Sequence, residues 1–197
     1  MTLTLRERRR LETARDIQRA SLKLARERGL DNLTTEAIAD AVGISTRTFF
    51  NYYPNKEAAC FGEPPRFTEE AKAQLREGTA ALPEDLRAFL SLHFEEMAGT
   101  EDIIRDIGPL AHENEKLRWL LDEHLRDLAV DLAKCLKTRL PGSSDNVRLE
   151  IAKWALQSLG SAIDLWRAKP KQSLNKALNE VWRIKLEAVQ LILGTYN

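Results

Sequence analysis

The residues best suited to chemistry in this chain are readers rather than reagents. Thr46, Arg47, Thr48, Phe50 and Asn51 crowd into one short segment that opens at Ser45 and stops at Pro54. Arginine pairs bidentately with guanine and asparagine with adenine, while threonine methyls and phenyl rings meet the thymine methyl. Displayed together on a helix, these five would read a major groove. Ser45 belongs with them as the residue that starts the helix. Tyr52, with a hydroxyl, and Lys56, with a charge, stand where a phosphate backbone would pass. Upstream, Arg6, Arg8, Arg9 and Arg10 precede the first helix turns and are expected to form a flexible basic arm toward a neighbouring groove or phosphates. The plain alternative for that arm is a solvated tail.

Such readers need a rigid mount, and the flanking sequence supplies one. Residues 5–28 repeat at a helical period, with Leu11, Ala14, Ile17, Ala20, Ser21, Leu24 and Ala25 on one stripe and Gly29 as the stop. Residues 34–42 open with threonines suited to an N-cap and end at Gly43, with Ala37, Ile38 and Ala41 as the inner face. Ser45 caps the next run, TRTFFNYY, which Pro54 stops, and Asn55 can cap KEAACF. One long and two short helices in this order, the short ones joined by Val42-Gly43-Ile44-Ser45, have the sequence shape of a helix-turn-helix. Ile38, Ala39, Val42, Ile44 and Phe49 can close a core with Ile17, Ala20 and Leu24. Ala39 is small where the short helices must cross. Phe49 and Tyr53 read as core, not groove.

The pattern beyond is also helical. GEPP at 62–65 reads as a linker. Helices follow over 67–78, over 83–97, over 101–107 with Gly108 and Pro109 as the end, over 114–140, 147–168 and 173–194. No stretch alternates like a strand bounded by turns. The expected class is all-α with about nine helices, in two domains. Residues 1–62 form the helix-turn-helix domain, and residues 63–197 an all-helical effector-binding and dimerisation domain.

Composition removes other classes. The 197 residues are 43% apolar, enough for a real core. Thirty basic and 30 acidic residues cancel, yet residues 1–56 hold eleven basic against seven acidic side chains, so the first third is basic and the remainder acidic. No apolar run approaches a membrane span, and no apolar stretch follows the first arginines as in a secretion signal. A cytoplasmic location is expected. Cys60 and Cys135 fit neither a disulfide framework nor a zinc site. His112-Glu113 begins an H-E-x-x-H pattern that Lys116 breaks. There is no G-x-S-x-G, phosphate-binding loop or dinucleotide fingerprint. No catalytic residue, metal or cofactor is expected, and the chain is not read as an enzyme.

The segment from Ala14 to Ala58 resembles the DNA-binding domain of the tetracycline-repressor (TetR) family. The resemblance rests on Ile17, Ala20, Leu24, Gly29, Thr34-Thr35, Ile38-Ala39, Ala41 to Ser45, Thr48 to Pro54 and Lys56-Glu57. It implies a homodimeric regulator, most often a repressor, that holds an inverted-repeat operator and is released by a small molecule. Carried over by residue, it implies phosphate contacts from Thr35 and Tyr52. Thr46, Arg47, Thr48 and Phe50 would face bases, and Lys56 would anchor the backbone. Phe50 departs from the tyrosine usual in the family, Tyr53 from a phenylalanine, and Glu36 sits where some members read a base. These departures bear on the operator sequence.

For the second domain, Ile151–Trp166 and Leu174–Ile192 carry apolar residues on more than one stripe. A helix apolar on two sides is buried on two sides, so these two are expected to pair with a second copy. An effector pocket is expected from Phe89, His93, Met97, Ile104, Trp119, His124 and Trp154, suited to an apolar or aromatic molecule. Ordinary core is the competing reading for each. The alternative for the whole chain is a helical interaction protein or enzyme with a remnant helix-turn-helix.

Overall fold

The computed structural model describes residues 4–194; residues 1–3 and 195–197, the outer ends of the two expected domains, lie outside it. The described residues form ten helices and no strand: α1 (Leu5–Arg28), α2 (Thr35–Val42), α3 (Thr46–Phe50), α4 (Lys56–Phe61), α5 (Glu69–Glu77), α6 (Leu82–Glu96), α7 (Glu101–Glu113), α8 (Glu115–Arg139), α9 (Asp145–Ala168) and α10 (Leu174–Leu193). The all-α class holds, with one helix more than the count expected. The chain divides into two compact units, one of residues 1–64 with 99–123 and one of residues 65–98 with 124–197.

In the first unit, α1 begins at Leu5, so Arg6 to Arg10 are helical and not a flexible arm. The cause is local. The Thr4 hydroxyl accepts from the Glu7 amide at 3.2 Å, and the Glu7 carboxylate accepts from the Thr4 amide at 2.8 Å. This reciprocal capping box satisfies two donors that a helix start otherwise leaves unpaired. Ile17, Gln18, Ser21, Leu22, Leu24 and Ala25 are the buried face of α1. Leu11, read as part of the inner stripe, is 40% exposed. Ile17, Leu22, Ile38, Ala39, Phe49, Tyr53, Ala59 and Cys60 share one core with Ile103, Leu110, Ala111 and Leu117. On α2 the inward residues are Ile38 and Ala39, while Ala41 is exposed.

Helix α7 does not stop at Gly108-Pro109 but continues to Glu113. A proline inside a helix removes one amide bond and crowds the preceding turn. Here it sits on the exposed face, and the next two residues, Leu110 and Ala111, are buried. Their burial offsets the lost bond. Arg19 and Arg26 on α1 form ion pairs with Asp102 and Asp106 on α7, each at 2.8 Å.

The exit from α4 is a close fit. Gly62 has φ +69°, a backbone conformation that favours glycine. A Cβ there would lie 2.3 Å from the Gln18 side chain. The buried Gln18 amide donates to the carbonyls of Phe61 at 2.7 Å and Cys60 at 3.3 Å, which end α4.

The second unit packs α5, α6, α9, α10 and the later turns of α8. Arg139 of α8 ties the α5–α6 connection, donating to the Leu75 carbonyl at 3.3 Å and the Ala80 carbonyl at 2.9 Å and pairing with Asp85. Ala152, Ala155, Ser158 and Ala162 of α9 and Ala177 of α10 are fully buried and small, which allows close helix approach. Further along α10, Ile184, Leu191, Ile192 and Leu193 are 50%, 58%, 83% and 68% exposed. No helix among the described residues is long and apolar enough to cross a membrane.

Candidate nucleic-acid interface and effector cluster

Helix α3 has only five residues, too short to persist alone. Its neighbours hold it. Gly43 closes the preceding turn at φ +73°, and the Ile44 amide donates to the Ala39 carbonyl at 3.0 Å. Ser45 caps α3, its hydroxyl accepting from the Thr48 amide at 3.0 Å. The Phe49 ring is 0% exposed and fixes the helix to the core. It meets Phe50 edge-on at 5.4 Å and Tyr53 at 6.4 Å.

With Phe49 inward, the outer face follows. Arg47, Phe50 and Asn51 are exposed and Thr46 is half-buried. Positions 46, 47, 50 and 51 are one helical stripe. The structure therefore brings four of the expected base readers onto one surface. Thr48 is half-buried, and its hydroxyl is hydrogen-bonded to that of Ser45 at 2.8 Å. Those two hydroxyls serve the cap. Phe50 is 53% exposed, its ring held edge-on against Phe49.

The expected phosphate contacts are placed unequally. Tyr52 is half-buried just past α3, with the Arg10 guanidinium 5.8 Å from its ring centre. Thr35 is half-buried in the first turn of α2, its hydroxyl donating to Glu36 at 3.3 Å. The Lys56 ammonium donates to the carbonyls of Asp31 at 3.0 Å and Leu33 at 2.9 Å. Two of its three donors thus hold the α1–α2 connection, leaving one for an outside acceptor. Tyr53 is buried, its hydroxyl donating to the Ala14 carbonyl at 3.2 Å. Burial, with Glu63 adding to it, pushes that phenol up to about 12. Cys60 is pushed up to about 12 by burial and by Glu57, which leaves it a neutral core thiol.

In the second unit an aromatic cluster gathers part of the expected effector set. Phe67 lies 4.5 Å from Phe89 and 4.8 Å from His93, ring centre to ring centre. Phe89 and His93 are 2% and 4% exposed, and His93 Nδ1 is buried without a hydrogen-bond partner. Burial, helped by the nearby His124, lowers His93 to about 4. Burial likewise lowers the half-buried His124. Met97 ends α6 and is half-buried. Trp154 instead packs on Trp182 at 5.2 Å, and its carbonyl accepts from Lys185 at 2.8 Å. Ile104 and Trp119 belong to the first unit, Ile104 buried and Trp119 56% exposed. Phe67 was not among the expected residues. Its position beside the GEPP linker was the only signal for it. Among the described residues, no group of three His, Cys, Asp or Glu could hold a metal ion.

Residues 17–58 match the family model described as bacterial regulatory proteins, tetR family. Among solved structures, the fatty acid degradation regulator FadR from Bacillus halodurans is similar in fold. Its TM-score is 0.58 and its identity 20%, over 87% of this chain and 93% of that one. FadR from Thermus thermophilus, described as a TetR family transcriptional repressor in complex with lauroyl-CoA, gives a TM-score of 0.45 at 26% identity, over 88% and 93%. No curated protein matches the chain.

Proposed function

We propose that this chain, whose residues 17–58 match the model of the bacterial regulatory proteins, tetR family, is a homodimeric repressor that a small molecule releases from an inverted-repeat operator. The observation that carries the DNA part is the stripe of Thr46, Arg47, Phe50 and Asn51 facing outward from a helix that Phe49 anchors. The apolar surface of Ile184, Leu191, Ile192 and Leu193 supports a second copy of the chain as partner. Two copies would set their reading helices about one DNA turn apart, ~34–36 Å. Phe67, Phe89 and the unpartnered His93 support an effector with an aromatic or apolar body and one polar group for the imidazole. The effector would act by favouring a spacing of the two reading helices that misses successive grooves.

Selection of bound duplexes from a random DNA pool tests the proposal. An enriched inverted repeat supports both DNA reading and the dimer. No enrichment by a folded protein means that the helix-turn-helix is a structural remnant or needs a partner. On the selected duplex, Arg47→Ala is expected to relax base preference at one position per half-site and to cost about 1–3 kcal/mol. Unchanged specificity removes Arg47 from the reading set. Leu191→Glu, at a position exposed in the single chain, is expected to yield monomers by light scattering. An unaltered dimer places the interface elsewhere.

A further inference from the structure

The structure assigns a second, sequence-blind DNA contact to the first turns of α1: Arg6, Arg9 and Arg10, together with Tyr52, form a cleft for phosphates of the duplex that flank the bases read by α3. This inference rests on the DNA-binding reading above. Leu5, Arg6, Arg9, Arg10, Thr13 and Tyr52 line one open concavity in the first unit. The spacing of three and four residues stacks Arg6, Arg9 and Arg10 on a single helix face. Like charges at that spacing repel, and cations near a helix start also oppose its dipole. An arrangement that weakens the helix twice over calls for an anion.

The protein itself does not supply one. Glu7, the acid of the first turn, is engaged with Thr4 in the capping box. Among the described residues neither Glu7 nor Glu12 forms an ion pair with these arginines, and no other acid does. Farther along the same helix the pattern reverses, with Arg19 and Arg26 each 2.8 Å from an aspartate of α7. Charge on α1 is thus neutralised internally at Arg19 and Arg26 and left open at Arg6, Arg9 and Arg10. Location identifies the anion. Tyr52 follows the end of α3 by two residues, and the Arg10 guanidinium sits over its ring. The strand of a duplex seated on Thr46, Arg47 and Phe50 would run past this wall. A planar guanidinium takes a phosphate through two parallel hydrogen bonds and reads no base while doing so.

The test uses the full chain and the duplex enriched by selection. Dissociation constants are measured against salt for the wild type, for R6Q/R9Q/R10Q and for R6K/R9K/R10K. Each phosphate contact contributes a slope of about 0.9 in log K against log salt. The glutamine variant is expected to lose about two to three of these units, to keep the wild-type base preference and to melt no lower than the wild type. The lysine variant is expected to retain most of the slope. Trimming base pairs outside the repeat is expected to weaken the wild type and leave the glutamine variant indifferent. A glutamine variant with the wild-type slope and the wild-type response to trimming overturns the cleft while leaving α3 as a reader. A wild type that binds no duplex overturns the cleft and the DNA reading together. Loss of slope with no response to trimming also overturns it, because the phosphates would then not be flanking ones.

Discussion

Phe49→Ala is expected to cost about 3–5 kcal/mol of stability in the helix-turn-helix unit and, on the proposed function, to abolish binding of the selected duplex. Phe49 is the one buried residue of α3, and its ring is 0% exposed among Ile17, Ile38 and Tyr53 of the same core. A five-residue helix gains almost nothing from its own hydrogen bonds. Removing the ring leaves a cavity and unties the surface that carries Arg47 and Asn51. Small domains are stable by only about 5–15 kcal/mol in total, so such a loss decides whether the reading face exists. The neighbouring Phe50→Ala separates the roles. Its ring is 53% exposed, so its removal is expected to shift stability by less than about 0.5 kcal/mol while weakening DNA binding. Urea unfolding and duplex titration on both variants check this. If the Phe49 variant unfolds and binds like the wild type, the anchor lies elsewhere.

The second large effect is on pH. His93 is lowered from 6.5 to about 4, first by burial and then by His124. In the unfolded chain it titrates near 6.5. Between those values the unfolded state binds the proton that the folded state refuses, so stability falls as pH drops from about 6.5 toward 4 and is unaffected by this group above that window. The difference corresponds to about 3 kcal/mol across the whole window. His124, lowered mainly by its own burial, acts in the same direction. His93→Phe, close in shape and beside Phe67, removes the titration. Its urea midpoint is expected to decline less than the wild type's between pH 7 and 5. Equal declines would show that His93 is protonated or solvated in the folded chain.

The first unit was legible because its signals are local. Thr34, Ser45 and Asn55 cap the helices they were expected to cap, each accepting from an amide three residues on. Gly29 and Gly43 end helices at positive φ. Phe49 and Tyr53 are buried as expected. Where the reading failed, a tertiary or short-range contact outweighed a local rule. Pro109 did not end α7 because burial of Leu110 and Ala111 continued past it. The arginines became helical because Thr4 and Glu7 close a capping box upstream of the apolar period. Lys56 was read as a charge facing outward, and periodicity gives no hint that its ammonium reaches back to Asp31 and Leu33. The aromatic cluster of Phe67, Phe89 and His93 was the least legible. Aromatic residues on amphipathic helices have no spacing that tells a cavity wall from a core.

The fit of Gln18 against Gly62 bears on protein engineering. The two positions lie 44 residues apart in sequence, yet a side chain at 62, besides adopting a φ of +69°, must displace the Gln18 amide that caps α4. A chimaera that grafts the first helices of this chain onto another protein is therefore constrained in where it is joined. A junction upstream of Gly62, or one that starts after Gln18, would part a donor from the glycine it was shaped against. A junction in the Pro64-Pro65 stretch carries both partners across, but it still parts α1 from Asp102 and Asp106 of α7 and from the core residues Ile103, Leu110, Ala111 and Leu117, so a graft that keeps the whole unit must bring residues 99–123 as well.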